Sequence, residues 1–266
     1  MRRPNLLSLT CLLAIVLLPT LILAADPAVT PAPAKPVVLI DQGHGQRFLI
    51  EEKGTLHLSS LAGIIAGTGA TVTSTTAPLD DAALAKVSAL VISGPFQPLP
   101  PQEVAAVLHF VENGGRLVVM THIPHPLGEL LFGLGVKFSN FVLQERENLI
   151  EGDSRNFRVV DLNAAEMFRG VKGVSFYGTW ALANLGTNGA VVAKSSARAW
   201  LDLDGDKQLT DADAVGSYGV AVLGSRGKGH FLVLGDDALF QNRFMDEQNS
   251  TFAVNLANWL VAAPTN

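Results

Sequence analysis

Three short runs with almost no polar break, VVLI (37–40), SALVIS (88–93) and RLVVMT (116–121), constrain the fold of this chain most. A half-exposed strand alternates apolar and polar residues. A strand that is apolar throughout is buried on both faces, as in a parallel sheet covered by helices on either side. Helical patterns separate these runs. LHLSSLAGIIAG (56–67) closes on a glycine. PQEVAAVLHFVENGG (101–115) opens on Pro100 and Pro101, repeats apolar residues at spacings of three and four, and stops at Asn113-Gly114-Gly115. ATVTST (70–75) adds a β-branched strand and PLGELLFGLG (126–135) a short helix. The alternation predicts an α/β domain with a mostly parallel, doubly wound sheet.

The second half reads differently. Between about 136 and 200 lie short β-like pieces, FRVV, GVSFY and GAVVAKS, which predict an antiparallel extension or a β-rich insertion. YGVAVLG (218–224) and HFLVLGD (230–236) flank SRGKG, a hairpin turn. NSTFAVNLANWLVA (249–262) places Phe252, Leu256 and Trp259 on one stripe of a closing helix. The folded domain is expected over 37–262, with no internal repeat.

Ahead of it, residues 1–25 have the layout of a signal peptide. Arg2 and Arg3 precede an apolar run, and Ala24-Ala25 offers a small-residue cleavage site. An uncleaved N-terminal anchor is the alternative, because the run is barely long enough to cross a bilayer. Residues 26–36 hold four prolines and form an extended linker. Either way the domain is expected to be exported, periplasmic or secreted, and to meet a membrane only through an uncleaved signal. Loss of Arg2 and Arg3 removes two cations and takes the net charge from −5 to −7. Cys11, the single cysteine, leaves with the signal, which excludes thiol chemistry and cysteine-ligated metals from the mature protein. The chain carries no basic run, which argues against nucleic acid as a partner. Its 48% hydrophobic content excludes a disordered protein.

In open α/β sheets ligands sit beyond the carboxyl ends of the parallel strands. Those ends here are DQGHGQRF (41–48), SGPFQP (93–98), THIPHP (121–126) and GDDALFQN (235–242). They offer Asp41, His44, Arg47, Ser93, His125 and Asp237 as candidate ligand-binding residues, with His44, His122 and Asp236 as candidate catalytic groups. A metal site would draw on Asp41, His44, His122, His125 and Asp236, but no HExxH-type spacing is present. A serine hydrolase would need Ser93, yet there is no G-x-S-x-G elbow. A dinucleotide site is rejected: Phe48 stands where the third glycine belongs, and no nucleotide or flavin is expected. The plainer reading is that Asp41 and Asp236 tie down loops.

The segments DQGHG, ALVISGPFQPLPPQEVAAVLHFVENGGRLVVMT and GKGHFLVLGDDALFQN resemble class I glutamine amidotransferase-like (flavodoxin-like) domains. They are more similar to a non-catalytic, exported branch of unknown function, akin to domains of gliding-type ABC transport systems and of intraflagellar transport proteins. The resemblance covers most of 37–135 and 215–262. It implies the fold, and it also implies that glutamine hydrolysis is absent. Thr121-His122 stands where that family places its cysteine, and Gly235-Asp236-Asp237 where it places its histidine.

The sharpest local pattern is DLDGDKQLTDAD (202–213). Asp202, Asp204, Asp206, Gln208, Thr210 and Asp213 fall at positions one, three, five, seven, nine and twelve, the spacing of a calcium loop. Lys207 occupies the position usually held by glycine and must accept a left-handed backbone, at a cost of about 1 kcal/mol. A solvated acidic turn is the alternative.

The sequence therefore leads to an exported, non-catalytic α/β domain of a bacterial envelope. It is expected to bind a small ligand or an envelope protein partner and to carry a structural calcium loop. The competing expectation is a metal-assisted or acid/base hydrolase of an extracytoplasmic substrate.

Overall fold

The structure, a computed structural model, describes residues 35–122 and 125–263. The signal, all but the last two residues of the linker, and the side chain of His125 lie outside the described residues. The chain begins β1 (Val37–Asp41), α1 (Ser59–Gly67), β2 (Thr71–Thr75), α2 (Asp81–Leu84), β3 (Ala89–Ser93), α3 (Pro101–Glu112), β4 (Arg116–Met120) and α4 (Gly128–Gly133). Strands then dominate: β5 (Val136–Gln144), β6 (Leu149–Ile150), β7 (Asp153–Val159), β8 (Asp161–Leu162), β9 (Val174–Tyr177), β10 (Trp180–Asn184), β11 (Gly189–Lys194), β12 (Trp200–Leu201) and β13 (Ala214–Val215). The hairpin β14 (Gly219–Arg226) and β15 (Gly229–Leu234) leads to α5 (Glu247–Val261).

One sheet takes most of these strands, in the order β13-β12-β5-β10-β14-β15-β4-β3-β1-β2, with β11 and β8 branching from β14. Neighbours from β15 to β2 pair in parallel. Every pairing on the other side of β15 is antiparallel. The expectation of a mostly parallel, doubly wound sheet is thereby corrected: the fold is α/β with a large mixed sheet in which antiparallel pairs outnumber parallel ones. The cause lies in the second half, where no α-helix lies between β5 and β15 to supply the crossovers that parallel pairing needs. Within 136–200, β5 and β10 extend the main sheet in antiparallel pairing. Only β6, β7 and β9 form a separate small sheet.

The parallel strands have the composition that burial on both faces requires. Along β1, β3, β4 and β15 successive side chains point to opposite faces. Val38, Ile40, Val91, Val118, Met120, Leu232 and Leu234 meet Leu61 and Ile65 of α1 and Phe252 and Leu256 of α5. Leu39, Leu90, Ile92, Leu117, Val119 and Val233 meet Leu84 of α2, Val107 and Val111 of α3, and Leu130 and Leu131 of α4. Each such burial stabilises the fold by about 2 kcal/mol. Capping fixes the helix ends: the Asp246 carboxylate accepts from Gln248 N and Asn249 N at the start of α5. Among the described residues no helix is long and apolar enough to cross a membrane.

Candidate functional site

Because β1, β3, β4 and β15 run parallel and side by side, the loops that follow them share one edge of the sheet. Strand order reverses between β1 and β3, where a crevice would open in an unobstructed sheet of this kind. Here the two flanking loops are stitched together: Phe96 N and Gln97 N both donate to the carbonyl of His44, each at 2.9 Å.

His44 explains why that crevice is tied shut. Its Nδ1 lies 2.8 Å from Asp41 Oδ2 and its Nε2 3.2 Å from Glu103 Oε2. Asp41 also accepts from Gly43 N and from Gln46 Nε2, and Gln46 Oε1 accepts from His44 N. Glu103, in the first turn of α3, accepts in addition from Leu79 N at 2.7 Å. All four side chains are buried. The hydrogen bond that Asp41 accepts is the main influence raising the His44 pKa above its ordinary 6.5, against the opposing effect of burial. Both ring nitrogens are engaged, so His44 has none left for a substrate or metal.

Asp236, another candidate, is likewise engaged by the fold. Tyr177 N donates to its Oδ2 and Ala238 N to its Oδ1. Burial and the adjacent Asp237 push its pKa up to about 8, while the two backbone donors pull the other way.

His122 differs. Its Nδ1 lies 2.8 Å from Asp237 Oδ1, and the imidazole keeps 33% of its surface exposed. The hydrogen bond that Asp237 accepts is the main cause of a pKa raised above 6.5. Burial pushes the Asp237 carboxyl up, opposed by His122. Phe48 and Phe96 flank the imidazole with ring centroids at 5.3 and 5.1 Å. The exposed Arg47 lies 4.7 Å over the Phe96 ring. Trp180 Nε1 donates to the His122 carbonyl at 3.2 Å, which holds the antiparallel half of the sheet against the site.

The supports are tight. Ser93 Oγ and Asp237 Oδ2 are buried without a hydrogen-bond partner among the described residues. Gly94 has φ +54, and a methyl group there would overlap Asp237 Oδ2. Glycine is required at this position for its backbone angle and for the close approach of the carboxylate. Of the candidate residues, the structure gathers Asp41, His44, Arg47, Ser93, His122, Asp236 and Asp237 at one edge, while the side chain of His125 falls outside the described residues. His44, His122 and Asp236 do not jointly present free groups to one open position. Sequence reasoning missed Glu103, Phe48, Phe96 and Trp180. A glutamate within the apolar pattern of 101–112 was the available signal for the first, whereas nothing local marks Trp180.

The acidic loop lies apart from this edge, closed at its base by pairing of β12 with β13. Carboxylate oxygens of Asp202, Asp204 and Asp206 lie within 4.8 Å of one another. Asp202 accepts from Gly205 N and Lys207 N, and Asp213 from Leu203 N and Thr210 N. Lys207 has φ +63, the left-handed backbone that the spacing demands.

Residues 57–257 match the family model described as a domain of unknown function, DUF4350. The chain belongs to the DUF4350 family. A search of curated proteins finds no match. Among solved structures this DUF4350 chain is similar to the mmIFT52 N-terminal domain, with 16% identity and a TM-score of 0.67 over 86% of this chain and 99% of that one. It is also similar to a ThuA-like protein from Bacteroides uniformis, at 16% identity and TM-score 0.54, covering 90% and 97%. A third likeness is to the cytoplasmic protein STM1381 from Salmonella typhimurium, at 16% and 0.54, covering 85% and 100%. At such identity these neighbours show the fold alone.

Proposed function

We propose that this DUF4350 chain is an exported, non-catalytic binding domain, similar to amidotransferase-like domains but without their nucleophile, that engages a small ligand or envelope partner at the His122 edge. One observation carries the reading. Two of the three candidate catalytic groups are held by the fold, His44 through both ring nitrogens and Asp236 through both oxygens. A histidine backed by a buried aspartate is the feature that favours a hydrolase. Among the described residues, however, no nucleophile hydrogen-bonds to His122. What remains is a partly exposed imidazole with aromatic walls and a nearby guanidinium, a combination suited to recognition. Export rests on residues 1–25 and on the linker that follows.

The same reading includes calcium as a structural clip for 202–213, with Asp202, Asp204, Asp206, Gln208, Thr210 and Asp213 as its donors. Three carboxylates packed this closely repel one another unless a cation lies between them.

The purified protein is to be assayed against chromogenic esters, phosphate esters and glycosides, beside His122→Ala. The expected result is no turnover above buffer for either form. Turnover that His122→Ala abolishes would replace the binding reading with the hydrolase. Fractionation of expressing cells tests export, with the protein expected in the periplasm or medium.

A further inference from the structure

His122 and Arg47 are held close to one aromatic ring, Phe96. The imidazole centroid lies 5.1 Å from that ring and the guanidinium carbon 4.7 Å from it. Asp237 engages the Nδ1 of His122, so Nε2 points away from the buried carboxylate and offers an N–H to an anion when the ring is protonated. Among the described residues nothing hydrogen-bonds to that Nε2, and no carboxylate pairs with Arg47. The Asp237 carboxyl is already engaged by His122, so Arg47 is left at this edge without a counter-charge among the described residues. An unpartnered guanidinium beside an imidazole suits a small anion. A guanidinium forks onto a carboxylate through two parallel hydrogen bonds, and low-polarity walls strengthen them. Phe48 and Phe96 supply such walls, both half-buried.

We propose that this edge binds a small organic carboxylate with a flat apolar body, its carboxylate between His122 Nε2 and Arg47 and its body against Phe48 and Phe96. The proposal rests on the reading of the His122 edge as a binding site and names its ligand class.

The test follows the His122 ring by NMR while the purified protein is titrated with benzoate, with neutral benzamide and with inorganic phosphate. Benzoate is expected to shift the His122 ring signals, to raise its titration midpoint, and to bind about tenfold more tightly than benzamide. Arg47→Gln is expected to remove about tenfold of the benzoate affinity and leave that for benzamide unchanged. Arg47 is exposed, so an unchanged melting temperature shows the variant to be folded. Benzamide or phosphate binding as tightly as benzoate overturns the carboxylate assignment and leaves a binding edge in place. A His122 ring that responds to none of the three probes overturns both this proposal and the reading beneath it.

Discussion

His44 and Glu103 meet at 3.2 Å, joining the loop after β1 to the first turn of α3, and that contact shuts the crevice at the strand-order reversal. Glu103 also holds Leu79 N, so one carboxylate serves two buried donors. Glu103→Ala would orphan both and is expected to destabilise the protein by about 3 kcal/mol. Urea unfolding measures it, and a loss under about 1 kcal/mol would mean that water replaces the carboxylate easily.

Protonation should favour the folded state near neutrality. His44 and His122 both have folded pKa values above 6.5, and Asp236 rises from 3.8 to about 8. A group raised in the fold holds its proton more tightly when native, so stability falls as pH climbs through the window between the unfolded and folded values. For the histidines that window opens at 6.5, and for Asp236 it closes near 8. His230, lowered chiefly by burial, works in the opposite sense, as its folded form resists protonation at acidic pH. The melting temperature is expected to decline between about pH 6.5 and 8, less steeply in Asp236→Asn. A flat profile would contradict this.

Gly94→Ala forces a methyl group onto Asp237 Oδ2 at a left-handed backbone position. The expected cost is about 3 kcal/mol, from strain and overlap together. The displaced carboxylate should also let the His122 pKa fall, which histidine NMR detects. Asp237→Asn should lower that pKa without the backbone strain, separating the two effects.

Calcium at about 1 mM is expected to raise the melting temperature, equivalent to roughly 0.4–1.4 kcal/mol for an extracellular-class site. The Asp202→Ala/Asp206→Ala variant should lose the response. Isothermal calorimetry with no heat, together with an unmoved melting curve, would identify 202–213 as an acidic turn only.

Local signals carried the first half of the fold. The runs at 37–40, 88–93 and 116–121 became β1, β3 and β4, and the capped pattern at 101–115 became α3. Hairpin chemistry at SRGKG located β14 and β15, but not that β15 would pair in parallel with β4. The second half was harder to read because β5 does not alternate cleanly between buried and exposed residues and takes its partners from β10 and β12 far along the chain. At the candidate site, the strand-end rule collected loops that share one edge of the sheet. It had no means of showing that His44 would turn inward between two carboxylates, since Glu103 lies on a helix remote in sequence.

β15 joins the two halves of the main sheet, parallel to β4 on one side and antiparallel to β14 on the other. Arg116 waits for His230 to register against it, so β4 stays an open edge until ribosomal synthesis has delivered the hairpin. Folding of this domain is therefore expected to complete late and all at once, with nascent chains lacking β15 vulnerable to aggregation and proteases.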